Sequence, residues 1–497
     1  MATATTVTGT SDRAFFGHPR GLSTLFFTEM WERFSYYGMR ALLILFMTAA
    51  PATGGLGFDT ATAGAVYGLY TAMVYLFTLP GGWIADRLIG QRRAVLYGGI
   101  LIASGHFSMA VPSLATFYLG LSLIVLGTGL LKGNISVLVG RLYEAGDNRR
   151  DAGFSIYYMG INTGAFLAPL VCGYLGQRVS WHLGFGAAGV GMLLGVIQYV
   201  LGGRHLGTAG LNPAPAESPE AAAALRRSAQ LWGGLALAAI VALGAAMALG
   251  VVNISGAQVA EYVGYLLLIG TVVFFAWLYL DRSWTPEERA RLYVVGVFFL
   301  AAAIFWSVFE QAGSTLNLFA DRSVRNEIAG ASFPSSWFQS ANALFIIVFA
   351  PVFAWLWLTL GSREPASPTK FAVGLIGAGL GFMVLVPAAM ASSDGSQVSP
   401  LWLIGTYLIH TWAELCLSPV GLSSMTKLAP ARIASLMMGV WFLGASVGNY
   451  IAGQMAGFYE EMPLNQLFGA VSILPIAAGV LLLLLSPRFT RMMHGAK

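Results

Sequence analysis

Charged side chains are scarce in this chain. Of its 497 residues only 10% are charged, whereas 57% are hydrophobic. Soluble domains carry about 25% charged residues and need them to cover a water-facing surface. The scarcity excludes an ordinary soluble protein and indicates that most of the surface faces lipid. The 61 glycines and 31 phenylalanines fit this environment, because small residues let transmembrane helices pack closely and aromatic rings favour membrane interfaces.

Residues that build ligand and nucleotide sites are also few. The two cysteines, Cys172 and Cys416, lie in separate apolar segments and imply no disulfide or metal framework. The histidines show no ligand spacing, and no glycine-rich loop follows a strand as a nucleotide-binding loop would. We therefore expect no metal and no cofactor, and an ATP-driven pump is disfavoured. The net charge of +5 comes from residues spread over short loops, so we expect no nucleic acid partner.

Long apolar runs make up most of the chain. A spanning helix needs about 20 mainly apolar residues. Fourteen candidates run over 22–50, 60–84, 93–113, 115–140, 152–175, 181–202, 229–252, 257–280, 291–319, 335–360, 370–391, 400–425, 433–457 and 465–486. The stretch 203–230 is rich in Ala, Pro and Glu and is interpreted as a linker. The sequence thus predicts an all-α polytopic membrane protein with a six-helix bundle at 1–202, a linker and two inserted helices at 203–290, and a second six-helix bundle at 291–497.

The basic residues orient these helices. If the N-terminus is placed in the cytoplasm, Arg33, Arg40 and Lys132 fall within helices and only Arg178, Arg322 and Arg325 fall outside. The remainder of the 27 Lys and Arg residues then lie in cytoplasmic loops. Successive loops alternate between the two sides of the membrane, so an error in the number of helices would place basic loops on the outer side. The asymmetry therefore predicts fourteen spans with both termini in the cytoplasm.

The first predicted helix carries a polar stripe. A charge at bilayer depth costs at least about 2.5–3.5 kcal/mol on insertion scales, so such residues are candidates for function. Residues spaced by three and four lie on one helical face. The stripe consists of Glu29, Glu32, Arg33, Tyr36, Tyr37 and Arg40. A static network of ion pairs between helices is the competing interpretation, but the charges and two tyrosines exceed what packing requires.

Single charges lie in other predicted helices, with Lys132 in the fourth, Glu310 in the ninth and Glu414 in the twelfth. Charges on both halves of the chain can pair across a central cavity or bind a zwitterion between them. Four further residues are candidates to line the same space, although residues of these types more often serve packing. They are Asn162, Asn342, Trp306 and Trp441.

The carboxylates also suggest proton coupling. A low-dielectric site favours the protonated form of a carboxyl group, and a nearby cation opposes this. A switch between these situations would couple proton binding to conformation. Coupling to Na⁺ is the alternative, but the basic residues beside the carboxylates would repel a bare cation, so protons are favoured.

Several motifs together resemble one family. The pattern ExxERFxYYG occupies 29–38, FSIYYMGINTG occupies 154–164 and is followed by Pro169, and ELCLSPVGLS occupies 414–423. The loop at 81–93 resembles the cytoplasmic signature of the major facilitator superfamily. Over nearly its whole length the chain resembles the proton-dependent oligopeptide transporter (POT/PTR) family of that superfamily. The second helix lacks a histidine and 392–399 is too short for an extracellular domain, so the resemblance is to bacterial members.

The resemblance implies a major facilitator fold and proton-coupled import of di- and tripeptides across the cell inner membrane by alternating access. It implies that Arg33 and Lys132 bind the peptide carboxylate and that Glu414 holds the amino group. The full implied substrate-binding set is Arg33, Tyr36, Tyr37, Tyr75, Lys132, Asn162, Trp306, Glu310, Asn342, Glu414, Ser418 and Trp441. The implied set for proton coupling and gating is Glu29, Glu32, Arg33, Arg40, Lys132, Glu310 and Glu414.

The resemblance further implies that Arg40 pairs with Glu310 when the outer side is closed, with Arg33 as the alternative partner. Glu414 is expected to receive the peptide ammonium, or Lys132 when the site is empty. We expect the protein to act as a monomer, with peptides, protons and membrane lipid as its partners. A drug–proton antiporter remains the alternative function. An intramembrane enzyme is disfavoured, because no paired Asp, Ser–Lys pair or set of metal-ligand histidines completes a site.

Overall fold

The architecture is almost entirely helical. The structure, a computed structural model, describes residues 12–144, 146–215, 218–248, 254–328 and 330–493. Within them lie α1 Gly21–Thr48, α2 Thr60–Leu76, α3 Thr78–Ile84, α4 Gln91–Met109, α5 Leu114–Gly140, α6 Arg150–Arg178, α7 Trp181–Gly202, α8 Pro219–Ala248, α9 Gly256–Leu280, α10 Pro286–Phe309, α11 Thr315–Arg322, α12 Ser340–Leu360, α13 Ser367–Met383, α14 Leu385–Ala391, α15 Leu401–Leu428, α16 Ala434–Gly457 and α17 Leu464–Met492. A two-residue hairpin, β1 Glu327–Ile328 and β2 Ala331–Ser332, is antiparallel.

These helices form fourteen segments, because three of the predicted spans are each interrupted once. By length and composition, ten helical segments in the described ranges are apolar enough to cross a membrane. The predicted all-α polytopic class is confirmed.

Two of the interruptions have the same cause. The predicted spans at 60–84 and 370–391 are confirmed as spanning segments, but each is interrupted, because α2 ends at Leu76 and α13 ends at Met383. Pro80 and Pro387 stand four residues after these ends. A proline ring clashes with the carbonyl four residues earlier and donates no hydrogen bond to it, so the helix breaks there.

The third interruption falls in the predicted helix at 291–319. After α10 the chain forms a 3₁₀ turn, Glu310–Gly313, before α11 begins. Gly313 packs directly against Arg40 and Tyr67, leaving no room for a side chain. The break therefore lies where the second half of the chain meets α1 and α2.

The predicted linker at 203–230 is partly helical. Helix α8 begins at Pro219, ten residues before the predicted start of the seventh span. Proline is favoured in the first turn of a helix, and the alanine-rich run that follows has high helix propensity. The predicted end of this span at 252 lies outside the described residues.

The helices pack within the two halves of the chain and at selected points between them. In the first half α1 packs on α6 and α7, and α4 on α5. In the second half α13 packs on α15 and α17, and α10 on α16. Helix α2 crosses to α16, where a Cβ on Gly68 would lie 2.8 Å from the Cα of Gly453. The inserted α9 packs on α2 and touches α10 and α16.

One end of the molecule is closed by hydrogen bonds between the halves. We call it the sealed end, since α1 and α6 finish there and α7 begins. The bonds run from Trp337 Nε1 to the Leu170 carbonyl (3.2 Å), from Ser340 Oγ to the Phe166 carbonyl (2.8 Å), from Gln177 Nε2 to Ser335 Oγ (2.7 Å) and from Asn317 Nδ2 to the Ala41 carbonyl (2.8 Å). The opposite end, called the basic end, includes Arg87, Arg92, Arg141, Arg363, Arg432 and Arg488.

Candidate functional site

The polar stripe of α1 is buried in the molecule. Arg33 lies between two carboxylates, since its Nε is 3.1 Å from Glu29 Oε1 and also pairs with Glu32. All three side chains are at most 4% exposed. The Cζ atom of Arg33 lies 5.3 Å from the ring centre of Tyr36, which is likewise buried. The first three charges of the predicted stripe thus form one buried cluster on α1.

At the end of the stripe, Arg40 binds the other half of the chain. Its Nη2 lies 2.7 Å from Glu310 Oε2, and its Nε donates to the hydroxyl of Tyr67 at 2.9 Å. The expected pairing of Arg40 with Glu310 is confirmed. The alternative partner, Arg33, is engaged by its own helix instead. The ring centre of the half-buried Tyr37 lies 5.7 Å from Arg40 Cζ.

Lys132 on α5 is half-buried. Its Nζ lies 3.9 Å from the ring centre of Tyr75 on α2, a cation–π contact. The charged groups around it include Arg33, Glu32 and Glu310. Lys132 therefore adds a second cation beside the α1 cluster, one that is not fully buried.

Glu414 on α15 stands on the opposite half. Asn342 Nδ2 on α12 donates to Glu414 Oε2 at 3.1 Å and lies the same distance from Thr411 Oγ1. Glu414 and Asn342 are both half-buried. The expected contact between Glu414 and Lys132 is not formed among the described residues, because Lys132 packs on Tyr75 while the amide of Asn342 satisfies Glu414.

The remaining predicted residues lie in the surrounding helices. Asn162 is buried and donates from Nδ2 to the Tyr158 carbonyl at 2.9 Å. Trp306 is 9% exposed and packs on Gly448, while its Nε1 has no hydrogen-bond partner within the described ranges. Trp441 packs edge-on against Phe371.

Ser418, on α15 one turn beyond Glu414, is half-buried. It is thus less buried than Asn162, Trp306 and Trp441.

The geometry places opposite charges on the two halves of the chain. Arg33 and Lys132 belong to the first half and Glu414 to the second. A small zwitterion with its termini apart would satisfy both sides at once through charge-assisted hydrogen bonds. The pair of Arg40 and Glu310 lies nearer the sealed end, since Arg40 follows Arg33 by two turns on α1.

Three residues that contribute to the site were not predicted from the sequence. Tyr67 lies eight residues before Tyr75 and Thr411 three residues before Glu414, so each shares a helical face with a predicted residue. That spacing would have revealed both. Gly313 has no such signal, since its role arises only from the close approach of Arg40 and Tyr67.

Comparison with known proteins agrees with this geometry. The sequence profile described as the POT family matches residues 92–474. The peptide transporter YePEPT of Yersinia enterocolitica subsp. palearctica is 44% identical over 98% of this chain and 97% of its own length. A di-/tripeptide transporter of Lactococcus lactis subsp. cremoris is 38% identical over 97% of this chain and 98% of its own.

A solved structure is also similar over nearly the whole chain. The crystal structure of peptide transporter POT in complex with sulfate superposes with a TM-score of 0.91 at 45% identity, covering 97% of this chain and 98% of that one. The predicted major facilitator fold, two six-helix bundles with an inserted helix pair, is confirmed.

Proposed function

This chain belongs to the POT family, and from that premise we propose that it imports di- and tripeptides together with protons by alternating access. It is a transporter and not an enzyme, as are the relatives it matches. The names of those relatives support a peptide as the substrate.

The observation that carries the proposal is the separation of charge between the halves. Arg33 and Lys132 would bind the peptide carboxylate, and Glu414 with Asn342 would bind the amino group. A dipeptide spanning them draws the halves together, and alternating access then rocks one bundle against the other around the bound substrate. Tyr36, Tyr37 and Tyr75 would contact the peptide backbone, and Trp306 and Trp441 would shape the side-chain pockets.

We assign proton coupling to the ion pair between Arg40 and Glu310. Protonation of Glu310 would remove its charge and weaken the link between α1 and the 3₁₀ turn after α10. The sealed end could then open. A proton that binds one conformation better than the other shifts the equilibrium between them, and this is the requirement for coupling. Glu29 and Glu32, which both pair with Arg33, would take part in the same proton coupling.

The moving units and the orientation belong to the same proposal. The bundles at 1–202 and 291–497 would move against each other, with 203–290 as an inserted element. The basic end would face the cytoplasm, with both termini on that side of the cell inner membrane, because basic loops favour the cytoplasmic side. Each chain has its own charge cluster and its own sealed end, so a monomer would suffice for transport.

The test is uptake of labelled dialanine into proteoliposomes. Accumulation that needs an inward proton gradient, is blocked by unlabelled trialanine and is indifferent to an equal sodium gradient is the expected result. Expulsion of an apolar cation against a proton gradient, without dialanine transport, would assign the chain to drug–proton antiport instead. Equal dialanine entry with and without any gradient would overturn the coupling.

A further inference from the structure

A second site lies away from the charged cluster, at the basic end. A groove of about 630 Å³ runs between the inserted helix α9 and helices α10 and α17. This volume is in the range of about 300–1,000 Å³ that holds small molecules. Its walls are apolar and aromatic and include Phe275, Phe299, Leu300, Leu485 and Phe489. None of the residues in the transport site lines it.

The mouth of the groove is basic. Arg488, which is exposed, lines the groove itself. A pocket of about 370 Å³ adjoins it through Tyr293 and Met492 and is lined by Arg289. The Nε atom of Arg289 is buried and has no hydrogen-bond partner in the part of the chain that the structure describes. Two adjoining cavities at this end of an apolar cleft therefore carry one cation each.

Two carboxylates at this end of α9 and α10 hold other hydrogen bonds. Asp281 accepts hydrogen bonds from the backbone N (2.8 Å) and Oγ (2.6 Å) of Ser283 and lies 3.8 Å from Arg432. Glu288 accepts from the backbone N of Thr285 at 3.0 Å, within a helix capping box. Asp281 also feels the charge of Arg289, but neither carboxylate forms an ion pair with Arg289 or Arg488 among the described residues, so the mouth of the groove favours an anion.

We propose that this groove binds an anionic phospholipid, with an acyl chain along α9, α10 and α17 and the phosphate at Arg289 and Arg488. The apolar cleft suits the chain, and guanidinium groups form strong charge-assisted bonds with phosphate. Basic pockets between transmembrane helices on the cytoplasmic side suit acidic lipid headgroups. Tyr279 and Tyr293 on the same walls would lie at the interface, where such rings are favoured.

The bound lipid would give the inserted helix a role. Helix α9 contacts α10 through Phe275 on Phe299 and Tyr279 on Leu292, and the groove is the space left beside these contacts. A lipid chain there would fasten α9 to the second bundle from within. This role is independent of peptide binding, because the groove and the transport site share no residue.

The test compares two double variants of equal charge. Arg289→Gln with Arg488→Gln removes the two cations of the groove. Arg282→Gln with Arg491→Gln removes two exposed cations of the same end that line neither cavity. Each protein, purified in an uncharged detergent, is titrated with phosphatidylglycerol or with phosphatidylcholine of the same acyl chains. The thermal unfolding midpoint and the number of retained lipids, by native mass spectrometry, are measured.

We expect phosphatidylglycerol to raise the midpoint of the parent above the value reached with phosphatidylcholine and one such lipid to be retained. The groove variant should bind it at least tenfold more weakly, while the control variant behaves like the parent. Leu300→Trp, which fills the groove without a change of charge, should also lose the retained lipid. Equal behaviour of the two lipids in the parent, or equal losses in both double variants, would overturn the proposal.

Discussion

The guanidinium of Arg40 and the carboxylate of Glu310 form a buried ion pair between the two helical bundles, with 2.7 Å between Nη2 and Oε2. Their side chains are only 5% and 3% exposed. Tyr67 accepts a second hydrogen bond from Arg40, and Gly313 provides the space for both. The two halves are therefore joined by an ion pair that a single proton, bound by Glu310, would neutralise.

The first prediction concerns the strength of this pair. Removing one partner of a buried pair leaves an uncompensated charge and typically costs about 3–5 kcal/mol. Arg40→Gln should therefore lower the free energy of unfolding by about that amount. The double variant with Glu310→Gln should recover part of the loss, because no lone charge remains. Unfolding of the parent, both single variants and the double variant in detergent measures the coupling.

The matched control is the pair of Arg322 with Glu460, whose side chains are 35% and 53% exposed. Exposed pairs contribute about 0–1 kcal/mol, so Arg322→Gln should change stability little. Two results would contradict this. Arg40→Gln could lower stability as little as Arg322→Gln does, or the losses of the two single variants could add up in the double variant. In either case the pair would not stabilise the sealed end.

A second prediction concerns Gly313. A Cβ at this position would lie 2.7 Å from Arg40 Nε and would also collide with the hydroxyl of Tyr67. Overpacking of this kind costs about 1–3 kcal/mol. Gly313→Ala should lower the thermal unfolding midpoint and also reduce proton-driven uptake, because it displaces Arg40. Gly405→Ala, where nothing lies within 4 Å, should leave both unchanged, and a harmless Gly313→Ala would contradict the close packing.

The sequence predicts much of this arrangement because its strongest signals are local. The stripe from Glu29 to Arg40 follows from helical spacing, and charges at bilayer depth single out Lys132, Glu310 and Glu414. The prolines beside the breaks, Pro80 and Pro387, are local signals too, although other prolines lie inside uninterrupted helices. These features depend on no contact between distant residues.

Other features depend on how helices approach one another. The stacking of Lys132 on Tyr75 and the bond from Asn342 to Glu414 each join two helices, so spacing within one helix does not reveal them. Gly313 resembles any other glycine until Arg40 lies against it. The groove beside α9 is likewise a property of three packed helices.

A third prediction concerns the carboxyl end of the substrate. If Lys132 and Arg33 bind the peptide carboxylate, dialanine amide should compete poorly with labelled dialanine, because it lacks the anion. Lys132→Ala should abolish gradient-driven uptake, whereas Arg491→Ala, at the basic end and outside the site, should retain it. Competition by the amide equal to that of the free acid would show that the cations serve another purpose.

A fourth prediction concerns the amino end. Glu414→Gln keeps the shape of the side chain and removes its charge, so dialanine affinity should fall by more than about 1.4 kcal/mol, a factor of ten. Asn342→Ala should have a smaller effect, because a hydrogen bond of this kind contributes about 0.5–1.5 kcal/mol. Glu261→Gln, on the exposed side of α9, is the control. Titration calorimetry that finds unchanged affinity in Glu414→Gln would remove Glu414 from the site.

The most direct test of the whole account is Glu310→Gln in proteoliposomes, with two transport modes measured on the same preparation. Glutamine at 310 imitates the protonated side chain, so the variant should lose dialanine accumulation driven by a proton gradient. It should still exchange labelled for unlabelled dialanine in counterflow, because the binding site is intact and the sealed end can open. Gradient-driven accumulation at the parent's rate, or loss of both modes in a well-folded variant, would contradict the coupling of proton and peptide through this residue.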